Sequence, residues 1–283
     1  MKDLTPNFTP AYFKSKNPNN TLILNCEVAY KGNKPPQGFK LIIVLHDYAG
    51  AQDAHREEFS MVALKELASE CLVEEGTMCL APQLPLANVK GWENCPLIKL
   101  IETKIESLIL SEFIDPQRVY LLGHGRAGLD ALAIASKLSH SLAAVGAVNA
   151  LDREVSIKNL SNIPFFAHFA SKETSIDWAV KVRKLKAEAP NCVSNVITSA
   201  EQLNKSKDVA SWISSHVRNP YPYYVFWEQT GYRYPYPTFY WLAVPSNCAK
   251  IGATIRAQRN DKNEFVIVSK DVDEVILRLN SSF

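Results

Sequence analysis

The chain has 283 residues, of which 47% are hydrophobic and 21% charged, with a formal net charge of +2. This is the profile of an ordinary globular protein, long enough for one large domain with a small appendage. The charge balance gives no argument for a nucleic-acid partner or an anionic membrane surface.

The opening Met1-Lys2-Asp3-Leu4-Thr5-Pro6-Asn7 lacks the apolar stretch of a secretory signal. No apolar run approaches the roughly 18 residues that a membrane span requires, so a cytoplasmic protein is the expectation. Thr21–Tyr30 reads as a strand, followed by the turn-rich Lys31–Gly38. Leu41–His46 is a continuous apolar run, as expected of a strand buried on both faces. Met61, Leu64, Leu67, Ala68, Cys71 and Leu72 recur at three and four residues, the stripe of a helix lying on a sheet. Thr77–Ala81 is a short strand, and Ile98, Ile101, Ile105, Leu108 and Ile109 give a second helix. Further strands are predicted at Val119–Leu122, Ala144–Val148, Pro164–Phe169 and Val193–Thr198, with helices near Leu129–Leu138, Ile176–Ala189 and Ser206–Val217. This alternation predicts an α/β fold, a doubly wound and mostly parallel sheet covered on both faces.

Composition changes after Arg218. Tyr221, Tyr223, Tyr224, Tyr232, Tyr234 and Tyr236 crowd one proline-interrupted segment. Strand patterns follow at Thr238–Val244, Ala249–Gln258, Glu264–Ser269 and Glu274–Leu279. The polar Arg259–Asn263 fits a hairpin turn. The division expected is therefore 1–218 as the α/β domain and 219–283 as an aromatic linker with a small antiparallel β extension. The tyrosines are expected to join the two, in preference to binding sugars or proline-rich peptides. The six cysteines (26, 71, 79, 95, 192 and 248) show no CxxC spacing, so buried free thiols are favoured over a disulfide framework or a zinc site.

One stretch carries chemistry. Leu121-Leu122-Gly123-His124-Gly125-Arg126-Ala127-Gly128 follows an apolar strand and precedes an alanine-rich helix. This is the strand–turn–helix setting of a G-x-S-x-G nucleophile elbow. Together with Lys40–Gly50, Asp115–Tyr120 and Ile163–Glu173, it resembles the α/β-hydrolase superfamily. The likeness is greatest to polyhydroxybutyrate-depolymerase-like and feruloyl-esterase-like esterases, and it covers about residues 20 to 218.

The resemblance implies a nucleophile at Gly125, a triad acid at Glu173 and an oxyanion region around His46, Asp47, Tyr48, His124 and Arg126. It also implies a base in the loop Ser199–Lys205. Gly125 has no atom with which to attack a carbonyl, and glycine relieves the strain that an elbow imposes. Glu173 stands where the family carries Asp, or else is a solvated turn carboxylate. The loop 199–205 contains no histidine, and His216 matches a packing position at the end of the last helix. Asp47 stands where the family has glycine, and its carboxylate would oppose a developing oxyanion unless it points away. His46, His124 and His168 end three strands, but without metal-ligand spacing.

Neither a cofactor nor a metal is expected. The leading expectation is a catalytically inactive esterase-like protein that binds a protein partner, or a small ligand in the old pocket. The alternative is a divergent carboxylic-ester hydrolase using non-standard groups. A simple serine-to-glycine exchange in a working enzyme would leave the catalytic histidine beside Gly125.

Overall fold

The computed structural model describes residues 7–14, 23–48, 61–85, 90–189, 192–201, 205–231, 236–262 and 264–279. The apolar runs lie side by side in a single eight-stranded sheet. Its strands are β1 (Asn7–Lys14), β2 (Ile23–Lys31), β3 (Phe39–Leu45), β4 (Thr77–Pro82), β5 (Ile114–His124), β6 (Ala144–Ala150), β7 (Phe165–Phe169) and β8 (Asn195–Thr198), in the order β1-β2-β4-β3-β5-β6-β7-β8. From β4 across to β8 neighbours are parallel, whereas β2 is antiparallel to both β1 and β4. The expected doubly wound sheet is thus present, with one strand more than the sequence pattern marks. The addition, β1, contains Pro10 and sits at the sheet edge, where a residue without an N–H is tolerated.

Alternate residues of the central strands feed two separate cores. Leu41, Ile43, Val119 and Leu121 face α2 (Cys95–Leu110), α3 (Arg126–Leu138) and α4 (Lys172–Glu188). Ile42, Val44, Tyr120 and Leu122 face α1 (Met61–Cys71) and α5 (Ser206–Ser214). Strands buried on both faces account for the unbroken apolar runs in the sequence. Cys26, Cys71 and Cys79 are buried free thiols, while Cys192 and Cys248 are free and half-buried. Among the described residues no helix is long and apolar enough to cross a membrane.

The C-terminal part forms two three-stranded antiparallel sheets. One has the order β13-β12-β9, from β9 (Tyr224–Glu228), β12 (Thr254–Arg259) and β13 (Phe265–Lys270). The other has the order β10-β11-β14, from β10 (Thr238–Phe239), β11 (Leu242–Ala243) and β14 (Ile276–Leu277). Their inner faces enclose a core of Val225, Trp227, Phe239, Trp241, Leu242, Ile255 and Ala257, with Trp227 and Phe239 stacked at 5.5 Å.

Two expectations change here. Thr238–Val244 is a tight hairpin rather than one strand, because Tyr240 lies at φ +53 between the two short strands. The tyrosine-rich segment is also only partly the joint to the larger sheet. Tyr236 does pack on the α2–α4 side core, but Tyr223 turns outward to Arg259 and Asp261. Tyr232 and Tyr234 lie outside the described residues.

The joint is largely polar. Asn162 donates to the Phe226 carbonyl at 2.6 Å and accepts from the Phe226 N–H at 2.9 Å. Asn159 does the same for Glu228, at 2.9 and 2.7 Å. These asparagines lie three apart on a 3₁₀ turn (Lys158–Asn162), a rise of about 6 Å. Alternate residues of a strand rise about 6.6 Å. The turn therefore presents carboxamides at nearly the spacing of a neighbouring strand, and closes the edge of β9.

Candidate functional site

The register of β3 on β5 pairs Leu45 with Gly123. The next residues of each strand, His46-Asp47 and His124-Gly125, therefore leave the sheet side by side. Gly123 allows the turn into α3 to pack tightly, since a Cβ there would overlap the Ala127 carbonyl. Gly125 follows at φ +55, ψ −122, a backbone region that is strained for any other residue by about 1–3 kcal/mol. Its N–H is held by the Val148 carbonyl at 2.9 Å, and its own carbonyl accepts from Gly128 at 3.1 Å. The elbow expected from the sequence is therefore present as backbone geometry.

Asp47 fills the space beside it. A Cβ on Gly125 would overlap Oδ1, Oδ2 and Cγ of Asp47, and these are the nearest atoms it would meet. Oδ1 accepts two backbone hydrogen bonds, from Tyr48 N–H at 2.8 Å and from Arg126 N–H at 2.9 Å. Oδ2 makes no hydrogen bond among the described residues. The Asp47 side chain thus points into the elbow and sits on the very N–H of Arg126 that could have served an oxyanion. The Arg126 guanidinium donates to the Tyr48 carbonyl at 2.7 Å, a second tie between the two loops.

His46 belongs to the scaffold. Its Nε2 accepts from the Leu84 N–H at 2.9 Å, so the ring proton is on Nδ1, facing the Asp47 carbonyl. Trp92 donates from Nε1 to the His46 carbonyl at 3.0 Å and meets the ring edge-on. Burial lowers the pKa of His46 to about 4, against the opposing pull of the Asp47 contacts. His124 is likewise pushed down to about 4 by burial, although Glu70 and Asp47 pull the other way. Its Nε2 is buried without a partner among the described residues. Both rings are neutral near pH 7.

The remaining candidates are dispersed. Glu173 lies exposed in the first turn of α4, accepting from the Ser171 hydroxyl at 2.7 Å. Ser171 in turn caps that helix by accepting from the Thr174 N–H. This is the solvated-turn reading of Glu173, with helix capping as its local role. His168 is on β7, on the same strand face as Phe166, which packs on Trp212 of α5. It is buried, and burial lowers its pKa.

His216 bonds back to the Trp212 carbonyl at 3.0 Å, and its own carbonyl accepts from the Tyr120 hydroxyl at 2.7 Å. Tyr120 precedes His124 by four strand residues, about 13 Å, so His216 lies toward the opposite end of the sheet from the elbow. In the loop 199–205, residues 202–204 are outside the described residues, as are Ala49 and Gly50. Among the described residues no group of three or more His, Cys, Asp or Glu side chains comes together as a metal site.

Sequence reasoning passed over an ion network beside the elbow, built on the buried Asp130. Asp130, one turn into α3, accepts from the Trp92 N–H and from Arg153, each at 2.8 Å. Arg153 also reaches Glu93 at 2.8 Å, and Lys137 pairs with Glu93. Burial raises the pKa of Asp130, and Arg153 and the Trp92 N–H oppose that rise. Its one sequence signal is a carboxylate inside the apolar run Gly128-Leu129-Asp130-Ala131-Leu132. A cleft of about 380 Å³ next to this network includes Glu93, Lys137, Glu228 and Gln229 in its lining. Glu93 and Glu228 are already ion-paired there, Glu228 with Lys158.

No family model and no curated protein sequence matches the chain. Solved structures do. A thermostable esterase superposes with a TM-score of 0.53 at 18% identity over 74% of this chain, which spans 63% of that esterase's length. Esterase Est22 gives 0.50 at 12% identity, over 74% of this chain and 80% of its own. A poly(3-hydroxybutyrate) depolymerase from Bordetella parapertussis gives 0.50 at 12% identity, over 76% of this chain and 91% of its own. At these identities the likeness speaks for a shared fold.

Proposed function

We propose that this chain, which has the α/β-hydrolase fold, acts by binding rather than by hydrolysis, engaging a protein partner or a small ligand at the loops around the elbow. The observation that carries this reading is the Asp47 carboxylate seated on the N–H groups of Tyr48 and Arg126. In an acyl-transfer enzyme such donors must be free to meet the oxyanion as it forms. Here a carboxylate oxygen already occupies them, and a substrate carbonyl would have to displace an anion held by two hydrogen bonds. Gly125 adds the lack of an attacking hydroxyl, and the loop 199–205 contains no histidine to activate one. The test is labelling with a serine-reactive fluorophosphonate together with hydrolysis of short acyl esters. No labelling and no turnover are expected. Turnover that survives purification and disappears in Glu173→Ala or His124→Ala would overturn the reading.

A second reading rests on the other oxygen of the same carboxylate. Oδ1 is anchored while Oδ2 is unbonded, the posture of a carboxylate nucleophile. In an ester hydrolase of that kind, Oδ2 would bond to the acyl carbon as the alkoxide leaves with a proton from water. A second water would then cleave the resulting anhydride. Acid quenching during turnover would trap the acyl group on the peptide containing Asp47, whichever anhydride carbon the water attacks. A peptide of unchanged mass removes this alternative.

A further inference from the structure

A second concave site lies at the far end of α3 from the elbow. Gly125 stands at the N-terminus of that helix and His140 just past its C-terminus, thirteen helical residues or about 20 Å away. There, a groove of about 220 Å³ is lined by Ile105 and Ile109 of α2, by Pro116 and Leu138, and by Arg218 and His140.

Arg218 is a cation without a counterion. It is half-buried, with Nε donating to the Pro116 carbonyl at 3.2 Å and Nη1 to the His140 carbonyl at 2.7 Å. Both acceptors are neutral, and Nη2 has no partner among the described residues. Asp115, whose charge Arg218 feels, pairs with Arg118 instead. Burial lowers the pKa of Arg218, and a cation drawn out of water is normally paired. The His140 ring shares this setting. Its Nδ1 is buried without a partner among the described residues. Its pKa is lowered to about 4, first by burial and then by Arg218 and Arg278. α2 also brings Glu102 and Glu106 to the lining. Glu102 pairs with Lys99 at 2.8 Å, Glu106 is exposed, and neither pairs with Arg218.

We propose that this groove binds a small free monocarboxylic acid with an apolar body. The carboxylate sits on the open side of the Arg218 guanidinium, and the body lies along Ile105, Ile109, Leu138 and Pro116. Two carbonyls already fix the guanidinium plane, so binding has little side chain left to order. The carboxylate supplies the missing counterion and gives the His140 ring a negative neighbour. Glu102 and Glu106 disfavour a second negative group on the ligand. Drug-sized ligands take pockets of about 300–1,000 Å³, so the occupant here is a short acid rather than the end of a peptide.

The experiment is titration of the full chain with butyrate at constant, low ionic strength, followed by the ring resonances of His140, which are assigned by their loss in His140→Leu. A saturating shift of roughly millimolar affinity is expected, while the amides of Tyr48 and Arg126 stay still. Butyramide and butylamine, which lack the negative charge, are expected to give none. Arg218→Gln is expected to weaken binding by about tenfold or more. That change also removes the ties to Pro116 and His140, so Glu106→Gln, which leaves them intact, is its companion. Loss of a like charge there is expected to tighten butyrate by about twofold. The proposal is overturned by any of four results: no saturation, equal binding of butyramide or butylamine, an Arg218→Gln variant that binds as the parent does, or a Glu106→Gln variant that binds no more tightly. Tighter binding of N-acetyl-leucine than of butyrate would overturn the free acid in favour of a peptide end. None of these outcomes touches the hydrolysis assays, since groove and elbow lie at opposite ends of α3.

Discussion

Oδ1 of Asp47 lies 2.9 Å from the backbone nitrogen of Arg126, seventy-nine positions later in the chain. The contact joins the loop after β3 to the first residue of α3, and a side chain at position 125 would have to enter the same volume. The two loop ends are therefore coupled through a carboxylate where an active elbow would keep open space.

Restoring the serine should fail for a steric reason as well as a chemical one. Gly125→Ser is expected to lower stability by about 1–3 kcal/mol through the φ strain alone, plus the overlap with Asp47. In an Asp47→Gly background the overlap term vanishes, so the two changes should be less than additive in a denaturant-melt double-mutant cycle. Ester hydrolysis should be absent in all three variants. Strict additivity would place the Asp47 carboxylate elsewhere in solution.

Removing the carboxylate should expose an anion site. Asp47→Ala leaves the Tyr48 and Arg126 N–H groups without their acceptor, at a cost of about 1–3 kcal/mol. Added acetate should bind there and shift the amide resonances of those two residues, while leaving the parent protein unaffected. Amides that do not move on titration would refute the anion-site assignment.

Acid should destabilise the fold earlier than its carboxylates alone require. His46, His124 and His140 are each pushed down to about 4, with burial the largest cause, against about 6.5 in an unfolded chain. Between those values the unfolded state binds the additional protons, so stability falls as pH drops from about 6.5 toward 4. His140→Leu should flatten that slope by up to about 1.4 kcal/mol per pH unit in denaturant midpoints collected between pH 7.5 and 5. An unchanged slope would mean that His140 protonates normally when folded.

The buried Asp130 should matter more than the exposed Glu173. Asp130→Ala leaves the buried Trp92 N–H without its acceptor and takes one of two carboxylate partners from Arg153, which keeps Glu93, and is expected to cost about 1–3 kcal/mol. Glu173→Ala removes only a solvent-facing cap partner, so its melting curve should overlay that of the parent. Equal losses from the two would contradict the placement of both side chains.

Much of this fold could be seen in the sequence, because strands such as Leu41–Leu45 and Val119–Leu122 are buried on both faces and must be apolar throughout. The elbow was legible for a similar reason: its glycines answer to local backbone needs. The orientation of Asp47 was not legible, since it depends on how closely two loops approach after β3 and β5 pair. β1 escaped because Pro10 interrupts it and the run Ala11-Tyr12-Phe13 breaks any alternation. The hairpin at Tyr240 was hidden because its positive φ is held by tertiary bonds from the hydroxyl to the Ser139 and Asn162 carbonyls, at 3.0 and 2.9 Å. Asn159 and Asn162 gave no signal, their partners lying 69 and 64 residues away.

The clamp formed by those two asparagines makes the joint depend on amide chemistry alone. Each carboxamide must both donate and accept, a pairing that no other atoms of the side chain can supply. Aspartate in place of either one would keep the acceptor but set a negative oxygen against the carbonyl of Phe226 or Glu228. Such an exchange would loosen the hold on β9 while the elbow and the parallel sheet beneath it stayed intact.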